Sequence, residues 1–325
     1  MRALVVDAAG GPFRLAELPR PVPGAGEVLV RIHASGVNPL DTKIRAGAAP
    51  HARHPLPAVL GLDLAGTVEA VGPDVTAWKP GDQVYGMTGG VGGIQGTLAD
   101  YAAADAALLA RKPANLTMRQ AAALPLIVIT AWEGLVDRAR IAAGQAVLVQ
   151  AGAGGVGHVA VQIAKALGAR VFATARPAYF DYLRSLGATP IDMAADVDAY
   201  VAEHTGGQGF DLVYDTLGGA TLDASFRAVR QFGHVVSCLG WGTHSLAPLS
   251  FKEGTYSGVF TLAPLLTGKG RPRHGAILAE AAKLVEAGTL MPRLDPRLFD
   301  LAGAAGAHDA LTGNTAQGKL VVGIA

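Results

Sequence analysis

Three glycines at fixed intervals follow a short apolar segment near the middle of the chain. Residues 146–149 read Ala-Val-Leu-Val, and Gly152, Gly154 and Gly157 come next, ahead of an apolar segment over 159–167. In a strand, turn and helix, this spacing provides a tight turn, close approach of the backbone to a pyrophosphate, and close packing of helix on strand. The amides at the helix start then face the anion. The pattern therefore predicts a nucleotide cofactor.

The flanking sequence strengthens this interpretation. With 43 glycines in 325 residues, such a spacing arises by chance, so the spacing alone is weak. A second strand is predicted over 170–174, directly after the helix, and completes a strand-helix-strand unit of the length that a parallel sheet needs.

Composition excludes several classes of protein. A chain of 325 residues is long for one hydrophobic core and predicts two domains. A formal net charge of +1 without a basic stripe argues against a nucleic-acid partner. Apolar segments are too short for a membrane span, and Asp7 interrupts the apolar N-terminus before it reaches signal-peptide length. The single cysteine, Cys238, cannot form an intrachain disulfide and is predicted to be a buried, inert thiol. We expect a cytoplasmic enzyme.

The texture of the chain changes at about residue 117. Before it, short strand-like segments lie between Pro and Gly turns, which favours a small barrel or irregular sheet. After it, Thr117-x-x-Gln120 predicts a capped helix that Pro125 interrupts. Strands and helices then alternate to about residue 239, as in a doubly wound parallel sheet. A closing strand over 319–324 is expected to rejoin the first domain.

These features together resemble the medium-chain dehydrogenase/reductase superfamily. The barrel-like N-terminal region, the motif Gly154-Gly155-Val156-Gly157 and the tail Gly318-Lys319-Leu320-Val321-Val322 carry the resemblance. Segments 36–43, 124–133 and 213–219 resemble its zinc-independent quinone oxidoreductase and enone (alkenal) reductase branch.

The resemblance implies an α/β fold of two domains. The first is a GroES-like, β-barrel-type catalytic domain of residues 1–117 and 264–325. The second is a doubly wound parallel-sheet (Rossmann) cofactor domain of residues 118–263.

The resemblance also implies that the protein works without zinc. The zinc alcohol dehydrogenases of this superfamily have a cysteine where Asn38 stands and a His-Glu pair where the chain reads Leu62-Asp63. Asn38 and Leu62 supply neither thiolate nor imidazole, and catalytic zinc needs about three such ligands. Without a Lewis acid, we expect hydride transfer to an acceptor that is already activated, such as a quinone or an α,β-unsaturated carbonyl compound.

Three residues are candidates for the catalytic site by their match to relatives. Lys43 is a cation that would stabilise the developing enolate oxygen, although it also fits a solvent-exposed loop lysine. Asn38 would donate from its amide, although Asn before Pro is also an ordinary turn residue. Thr130 matches a position that meets the nicotinamide or its ribose phosphate, although it also fits a threonine packed in a helix. Asp63 is expected to have a buried ion-pair or hydrogen-bonding role.

The end of the second strand favours NADPH, with NADH as the alternative. An acid that would hold a ribose 2′-hydroxyl is missing there, and the chain reads Thr174-Ala175-Arg176. Arg176 and Thr174 would meet a 2′-phosphate. Other phosphate partners that are common in NADPH-using relatives are absent, since Tyr179, Met193 and Asn314 stand at their positions.

Further cofactor contacts are implied by the resemblance alone. They are Leu217, Leu239, Gly240, Phe260, Leu262 and Lys319, and they add to the contacts that the glycine turn itself predicts at Gly152, Gly154, Gly155, Val156 and Gly157. The segment 256–261 is expected to extend the sheet across a homodimer. Three alternatives to a quinone or enone reductase remain open, namely an enoyl-thioester reductase, a zinc alcohol dehydrogenase and an NADPH-binding protein without turnover.

Overall fold

The computed structural model describes residues 1–324, which divide into two compact units. The first unit comprises 1–126, 262–288 and the residues from 292 onward, and the second comprises 127–261 and 289–291. Within the described residues, no helix is both long and apolar enough to cross a bilayer.

Strands occur in both units. In chain order they are β1 (Arg2–Val6), β2 (Phe13–Glu17), β3 (Glu27–Gly36), β4 (Ala58–Val59), β5 (Asp63–Val71), β6 (Gln83–Met87), β7 (Tyr101–Asp105), β8 (Leu109–Arg111), β9 (Ala146–Val149), β10 (Arg170–Ala175), β11 (Thr189–Asp192), β12 (Phe210–Asp215), β13 (Val229–Ser237), β14 (Thr255–Gly258), β15 (Phe299–Asp300) and β16 (Val321–Gly323).

The α-helices are α1 (Pro39–Arg45), α2 (Met118–Ala122), α3 (Pro125–Trp132), α4 (Gly155–Ala166), α5 (Phe180–Ser185), α6 (Val197–Thr205), α7 (Ala220–Ala228), α8 (Ala247–Ser250), α9 (Ala263–Thr267), α10 (Arg271–Glu286) and α11 (Ala304–Thr312). A π-helical turn, Glu133–Arg138, continues α3. Short 3-10 turns lie at Pro50–Ala52, Ala106–Leu108 and Pro177–Tyr179.

The strands of the first unit pair antiparallel, except for the parallel pair β15 and β16. Its larger sheet has the order β15-β16-β3-β5-β6-β8, with β7 also paired to β3, and its smaller sheet has the order β2-β1-β4. β16 pairs antiparallel with β3, so the last strand of the chain lies in the first unit. Helix α2 packs on β3 and β5 of the same unit, which places the first change of unit at residue 126 rather than at the expected residue 117.

The second unit contains a six-stranded, entirely parallel sheet. Its order, β11-β10-β9-β12-β13-β14, runs outward in both directions from β9 and β12. This confirms the doubly wound sheet. The two halves of the sheet diverge at the neighbouring strands β9 and β12, and ligands bind outside the carboxyl ends of the strands at such a point.

Several elements differ in detail from the prediction. α4 begins at Gly155 because the glycine turn continues directly into the helix. Pro125 begins α3 instead of interrupting a helix, since the first helical position needs no amide donor. The predicted capping box is confirmed, because the Thr117 amide donates to Gln120 Oε1 (2.9 Å) and the Gln120 amide donates to Thr117 Oγ1 (3.2 Å). The edge strand β11 has four residues and contains Pro190, so its sequence alone does not predict a strand.

Cys238 directly follows β13. Burial raises the pKa of its thiol to about 12, so the thiol stays protonated near neutral pH. This agrees with the inert cysteine that was predicted.

Two glycines of the turn are required by packing. A Cβ on Gly152 would lie 2.5 Å from the Ala173 Cβ, and one on Gly157 would lie 2.2 Å from the Ala151 carbonyl oxygen. Gly154 differs, because its nearest obstacle is the Ala151 oxygen at 3.2 Å. Gly152 and Gly157 therefore allow α4 to pack against the sheet, whereas Gly154 leaves an open backbone at the surface of the turn.

We predict that Gly157→Ala lowers the free energy of unfolding by roughly 1–3 kcal/mol, since the added methyl group overlaps a backbone oxygen that cannot move aside. Urea denaturation followed by circular dichroism measures this change. Gly154→Ala is the matched control, with a much smaller loss expected. Equal losses in the two variants would contradict the packing role of Gly157.

Candidate functional site

The glycine turn of the second unit is held from beneath by buried polar side chains. Thr174 Oγ1, at the end of β10, accepts a hydrogen bond from the Ala151 amide (2.9 Å) and donates one to Gln150 Oε1 (2.7 Å). Thr216 donates to the Gln150 carbonyl at 2.8 Å. These bonds fix the turn relative to the strands on either side of it.

This arrangement gives Thr174 a structural role beside the phosphate contact that is predicted for it. The side chain is buried, and its only hydroxyl proton is directed to Gln150. A phosphate contact through this hydroxyl stays untested, but Thr174 cannot donate to a phosphate while that bond is kept. Its observed role is to position the turn.

The start of α4 has the properties of an anion site. Gly154 is the residue that precedes the helix, Gly154 and Gly155 are exposed, Val156 is half-buried, and no side chain caps the helix. The first amides of a helix have no partner within it, and the helix dipole favours a negative charge there. The open face at Gly154 therefore fits close approach of a pyrophosphate, and the cofactor suits the residues present.

Arg176 follows β10 on the surface of the second unit. It is exposed, and its guanidinium carbon lies 5.4 Å from the centre of the Tyr179 ring, which is a cation-π distance. A carboxylate lies near the end of the same strand. Asp192 ends β11 and is in register with Ala175 of β10.

Exposed apolar side chains follow the carboxyl ends of three adjacent strands. Leu217 follows β12, Trp241 follows β13 and Phe260 follows β14, and they are 44%, 53% and 39% exposed. The Trp241 and Phe260 rings are perpendicular, with centroids 5.9 Å apart. We call these three residues the strand-end shelf. Large apolar groups exposed at this edge of a parallel sheet are typical of a binding surface.

Buried Asp215 holds the shelf in place. Its carboxylate accepts hydrogen bonds from the amides of Leu217 and Gly218 and from the Ser237 hydroxyl, the last at 2.6 Å. It therefore ties the ends of β12 and β13 together. Sequence reasoning missed this role, although the spacing of an Asp and a Gly after a strand is typical of such a turn.

The other predicted contacts near these strand ends are placed as follows. A Cβ on Gly240 would lie 2.0 Å from the Tyr256 hydroxyl oxygen, so a larger residue there would require the tyrosine side chain to shift. Leu239 is half-buried, whereas Leu262 is buried and belongs to the first unit. Their contacts with a cofactor stay predictions.

Thr130 lies buried in α3, within the second unit. Its Oγ1 is 3.1 Å from Thr261 Oγ1, and Thr261 in turn donates to Glu133 Oε2 at 3.2 Å. The Thr130 carbonyl accepts a hydrogen bond from the Tyr214 hydroxyl (2.7 Å). The structure thus gives Thr130 a packed position with hydroxyl partners, and its catalytic role stays a prediction.

In the first unit, Asn38 lies in a buried cluster of polar groups. Asn38 Nδ2 donates to Asp63 Oδ2 (2.9 Å), and the Lys319 ammonium donates to Asn38 Oδ1 (2.5 Å) and to the Val37 carbonyl (2.9 Å). The Asn38 amide donates to Asp41 Oδ2 at 2.8 Å. Asn38 has no exposed surface and Lys319 is 6% exposed. The hydrogen-bonding role predicted for Asp63 is confirmed, and the inward direction of Lys319 was not foreseen.

Burial changes the protonation behaviour of this cluster. Burial raises the pKa of Asp41 to about 7 and that of Asp63 to about 6. The rise at Asp63 is opposed by the charge of Lys319 and by the hydrogen bond from Asn38. Burial lowers the pKa of Lys319, against the attraction of both carboxylates. Asp63 accepts a second hydrogen bond, from the Leu126 amide, whereas Asp41 Oδ1 is buried without a partner of good geometry. Asp41 is therefore the carboxylate that more readily takes up a proton.

Lys43 is exposed on helix α1, one turn beyond Asn38. Lys43 is therefore a solvent-exposed lysine, as the alternative interpretation expected, but it lies on a short helix and not in a loop. The start of this helix is fixed by the bond from the Asn38 amide to Asp41.

The positions that would hold zinc in an alcohol dehydrogenase are otherwise engaged. The Asn38 carboxamide is bonded to Asp63 and Lys319, and Leu62 is fully buried. In the polar segment after α1, His54 Nε2 lies 3.3 Å from the Val59 carbonyl oxygen. Among residues 1–324, no three His, Cys, Asp or Glu side chains are grouped as a metal ion would need.

Family models match segments of both units. Residues 24–114 match the alcohol dehydrogenase GroES-like domain, and residues 155–267 match the family described as zinc-binding dehydrogenase. A crystal structure of an alcohol dehydrogenase superfamily protein from Novosphingobium aromaticivorans is 63% identical, with a TM-score of 0.99 over all of both chains. The quinone oxidoreductase of Coxiella burnetii is 30% identical, with a TM-score of 0.84, over 100% of this chain and 99% of that one.

Curated relatives fall into two groups. The chloroplastic NADPH-dependent alkenal/one oxidoreductase of Arabidopsis thaliana is 35% identical over 303 residues, which cover 91% of this chain and 72% of the relative. The spectinabilin polyketide synthase protein NorB of Streptomyces orinoci is 38% identical over 91% of this chain. The chain spans only 13% of the length of NorB, and 8% and 5% of two further polyketide synthases.

Three findings agree with one another: the parallel sheet with its glycine turn, the GroES-like first unit, and the 35% identity to a reductase over 72% of that protein's length. The chain belongs to the medium-chain dehydrogenase/reductase superfamily of NAD(P)H-dependent oxidoreductases, in the branch that contains the alkenal/one and quinone oxidoreductases.

Proposed function

We propose that this protein is a zinc-independent, NADPH-dependent reductase of quinones or α,β-unsaturated carbonyl compounds. The observation that carries the proposal is the uncapped start of α4 at an open Gly154, with an exposed arginine, Arg176, after the next strand. The first feature suits the pyrophosphate of a dinucleotide, and the second suits a 2′-phosphate. The relative that is named for NADPH-dependent reduction of alkenals and enones supports the same reaction.

Each part of the cofactor has a matching group in the second unit. The amides around Gly154, Gly155 and Val156 would hold the pyrophosphate, and Arg176 would pair with the 2′-phosphate. The strand-end shelf would cover the apolar face of the nicotinamide, on the opposite side of β9 from Arg176. When bound, NADPH supplies a hydride. Asp192 beside the end of β10 keeps NADH as the alternative, since a carboxylate can hold a free ribose hydroxyl.

The proposed chemistry needs no Lewis acid. At the positions of zinc ligands, the chain has an amide that is already paired on both sides and a buried leucine. A conjugated acceptor moves charge to its own oxygen when hydride reaches carbon, so one donor at that oxygen would stabilise the resulting anion until a proton from solvent completes the reduction. We assign this donor to Lys43, the exposed cation at the end of α1.

A second function is favoured by one observation, the 35–39% identity to segments of polyketide synthases. A solved structure titled as the CurK enoyl reductase is also similar over all of this chain, with a TM-score of 0.87. An enoyl-thioester reductase uses the same hydride transfer to a conjugated carbonyl. The two functions therefore differ in the group attached to the carbonyl carbon.

We also propose that the protein is a homodimer. β14 is an edge strand of the second unit's sheet, and Tyr256 on it is 37% exposed. An open edge with an aromatic side chain is a surface on which a second copy would continue the sheet.

The proposal is tested with purified protein and four acceptors, naphthoquinone, hexenal, crotonyl-CoA and cyclohexanone. We expect NADPH oxidation with the quinone or the alkenal, and none with the saturated ketone, because the ketone cannot delocalise the arriving charge. A larger kcat/KM on crotonyl-CoA would establish the thioester reductase. NADPH binding without turnover on any of the four would establish a binding protein instead.

Arg176→Ala should raise the dissociation constant of NADPH by about 10- to 100-fold, the loss expected for one charge-assisted phosphate contact. The NADH constant should change little, because NADH lacks that phosphate. Fluorescence titration measures both. Arg170→Ala removes an exposed arginine from the other end of β10 and serves as the control. If Arg176→Ala weakens both cofactors equally, the assignment of the 2′-phosphate site is wrong.

Lys43→Met should lower kcat by about 10²-fold, which is typical when one donor to a developing oxyanion is removed. The dissociation constant of NADPH should stay the same, since Lys43 belongs to the first unit. Lys43→Arg keeps the positive charge and is expected to retain part of the rate. Stopped-flow and steady-state assays separate kcat from the dissociation constant of NADPH. An unchanged kcat in Lys43→Met would show that Lys43 takes no part in the reaction.

A further inference from the structure

The buried cluster of the first unit contains a cation that the proposed reaction does not use. Lys319 precedes β16, and its ammonium is directed into the protein, where it donates to the Val37 carbonyl and to Asn38 Oδ1. The Asn38 amide lies between Lys319 and Asp63 and bonds to both.

These partners fix the orientation of the Asn38 side chain. An ammonium only donates hydrogen bonds and an ionised carboxylate only accepts them. With Oδ1 on Lys319 and Nδ2 on Asp63, both bonds are satisfied, and a flipped amide would place donor against donor and oxygen against oxygen. One orientation is therefore favoured by two charge-assisted hydrogen bonds.

The backbone around Asn38 is tied to the same segment. The Val37 amide donates to the Leu320 carbonyl (2.9 Å), while the Lys319 ammonium donates to the Val37 carbonyl. The Lys319 amide donates to the Arg293 carbonyl at 2.8 Å, so the lysine is itself anchored. Residues 37 and 38 are thus held through backbone and side chain at once.

Helix α1 begins at the next residue. Asn38 precedes Pro39, the first residue of α1, and the Asn38 amide donates to the buried Asp41 carboxylate in the first turn. α1 has seven residues, too few to be stable on its own, so its position depends on contacts such as these. Lys43 is in its last turn.

We propose that Lys319 is a positioning residue for the reaction, which holds Asn38 and thereby the helix that presents Lys43. This inference rests on the function proposed for Lys43. It differs from the cofactor contact expected for Lys319 from family resemblance, because the ammonium is almost fully buried and already bonded to two oxygen acceptors.

Removal of the Lys319 cation alone should weaken the contacts that hold the start of α1. Lys319→Met removes the donor to Asn38 Oδ1 and a positive charge that attracts Asp63, so Asn38 keeps only one of the two bonds that fix its orientation. We expect kcat to fall at least about tenfold, the effect of losing about 1.4 kcal/mol, while the dissociation constant of NADPH stays within about twofold. Asp63→Asn/Lys319→Met removes the charges of both residues that bond to the Asn38 side chain and should recover at least about threefold of the lost kcat, because Asn38 then no longer bonds to a buried carboxylate that has lost its counter-charge. The double variant also provides a folded protein if Lys319→Met is unstable.

Combination with Lys43→Met tests whether Lys319 acts through Lys43. If it does, the kcat of Lys43→Met/Lys319→Met should be no lower than that of the slower single variant. Both changes then remove the same contribution, the action of Lys43 on the substrate oxygen. Multiplied losses would overturn the proposal. A tenfold weaker NADPH affinity in Lys319→Met with kcat unchanged at saturation would also overturn it, in favour of a cofactor contact.

Hydrogen exchange gives a readout that does not depend on turnover. Peptides that cover 37–45 should exchange at least about tenfold faster in Lys319→Met than in the wild type, and the double variant should restore their protection. If the protein reduces none of the acceptors, the proposed function fails, and this exchange pattern still decides whether Lys319 holds α1. Unchanged exchange over 37–45 would overturn the positioning role.

Discussion

A lysine and two aspartates are buried together in the first unit. The need to pair their charges determines how Asn38 and the start of α1 are held. An isolated buried charge costs several kcal/mol, and the cost is offset only when each charge has partners of good geometry. Lys319 and Asp63 meet this requirement through Asn38, which bonds to both. Because Lys319 adjoins the last strand and Asp63 begins β5, residues distant in sequence must come together before the start of α1 is fixed.

The same cluster must also balance its charge. Two carboxylates and one ammonium would leave a net negative charge away from water, and burial raises the pKa of Asp41 to about 7 and that of Asp63 to about 6. In the folded protein a proton is therefore retained to a higher pH than in an unfolded chain, where Asp has a pKa of about 3.9. Since the native state binds more protons, these two groups make the fold less stable as pH rises from about 4 to about 7.

The second unit follows a related principle, with buried polar side chains that bond to one another and to the backbone. Thr174 and Gln150 support the glycine turn, and Asp215 ties the ends of β12 and β13. These side chains are buried and bonded, so they position the groups that face outward. The groups left for ligands are the open Gly154, the exposed Arg176 and the strand-end shelf.

The sequence predicted the features that depend on neighbours along the chain. The glycine turn, the parallel alternation and the Thr117–Gln120 capping box each follow from local spacing, and the structure contains all three. The directions of Thr174 and Lys319 were not predictable, since their partners come from other strands or from the far end of the chain. Both types of side chain can bind phosphate, and only the tertiary packing shows that their hydrogen bonds are made inside the protein. Asp192 was missed for the same reason, because only the strand register places it beside Ala175.

The central claim is that hydride is delivered to the carbon of a conjugated double bond and not to a carbonyl carbon. Reduction of cyclohexenone with NADPH that carries two deuterium atoms at nicotinamide C4 tests it directly, with the product analysed by NMR and mass spectrometry. The proposed reaction predicts saturated cyclohexanone with one deuterium on the carbon β to the carbonyl. An allylic alcohol with deuterium on the former carbonyl carbon would contradict it.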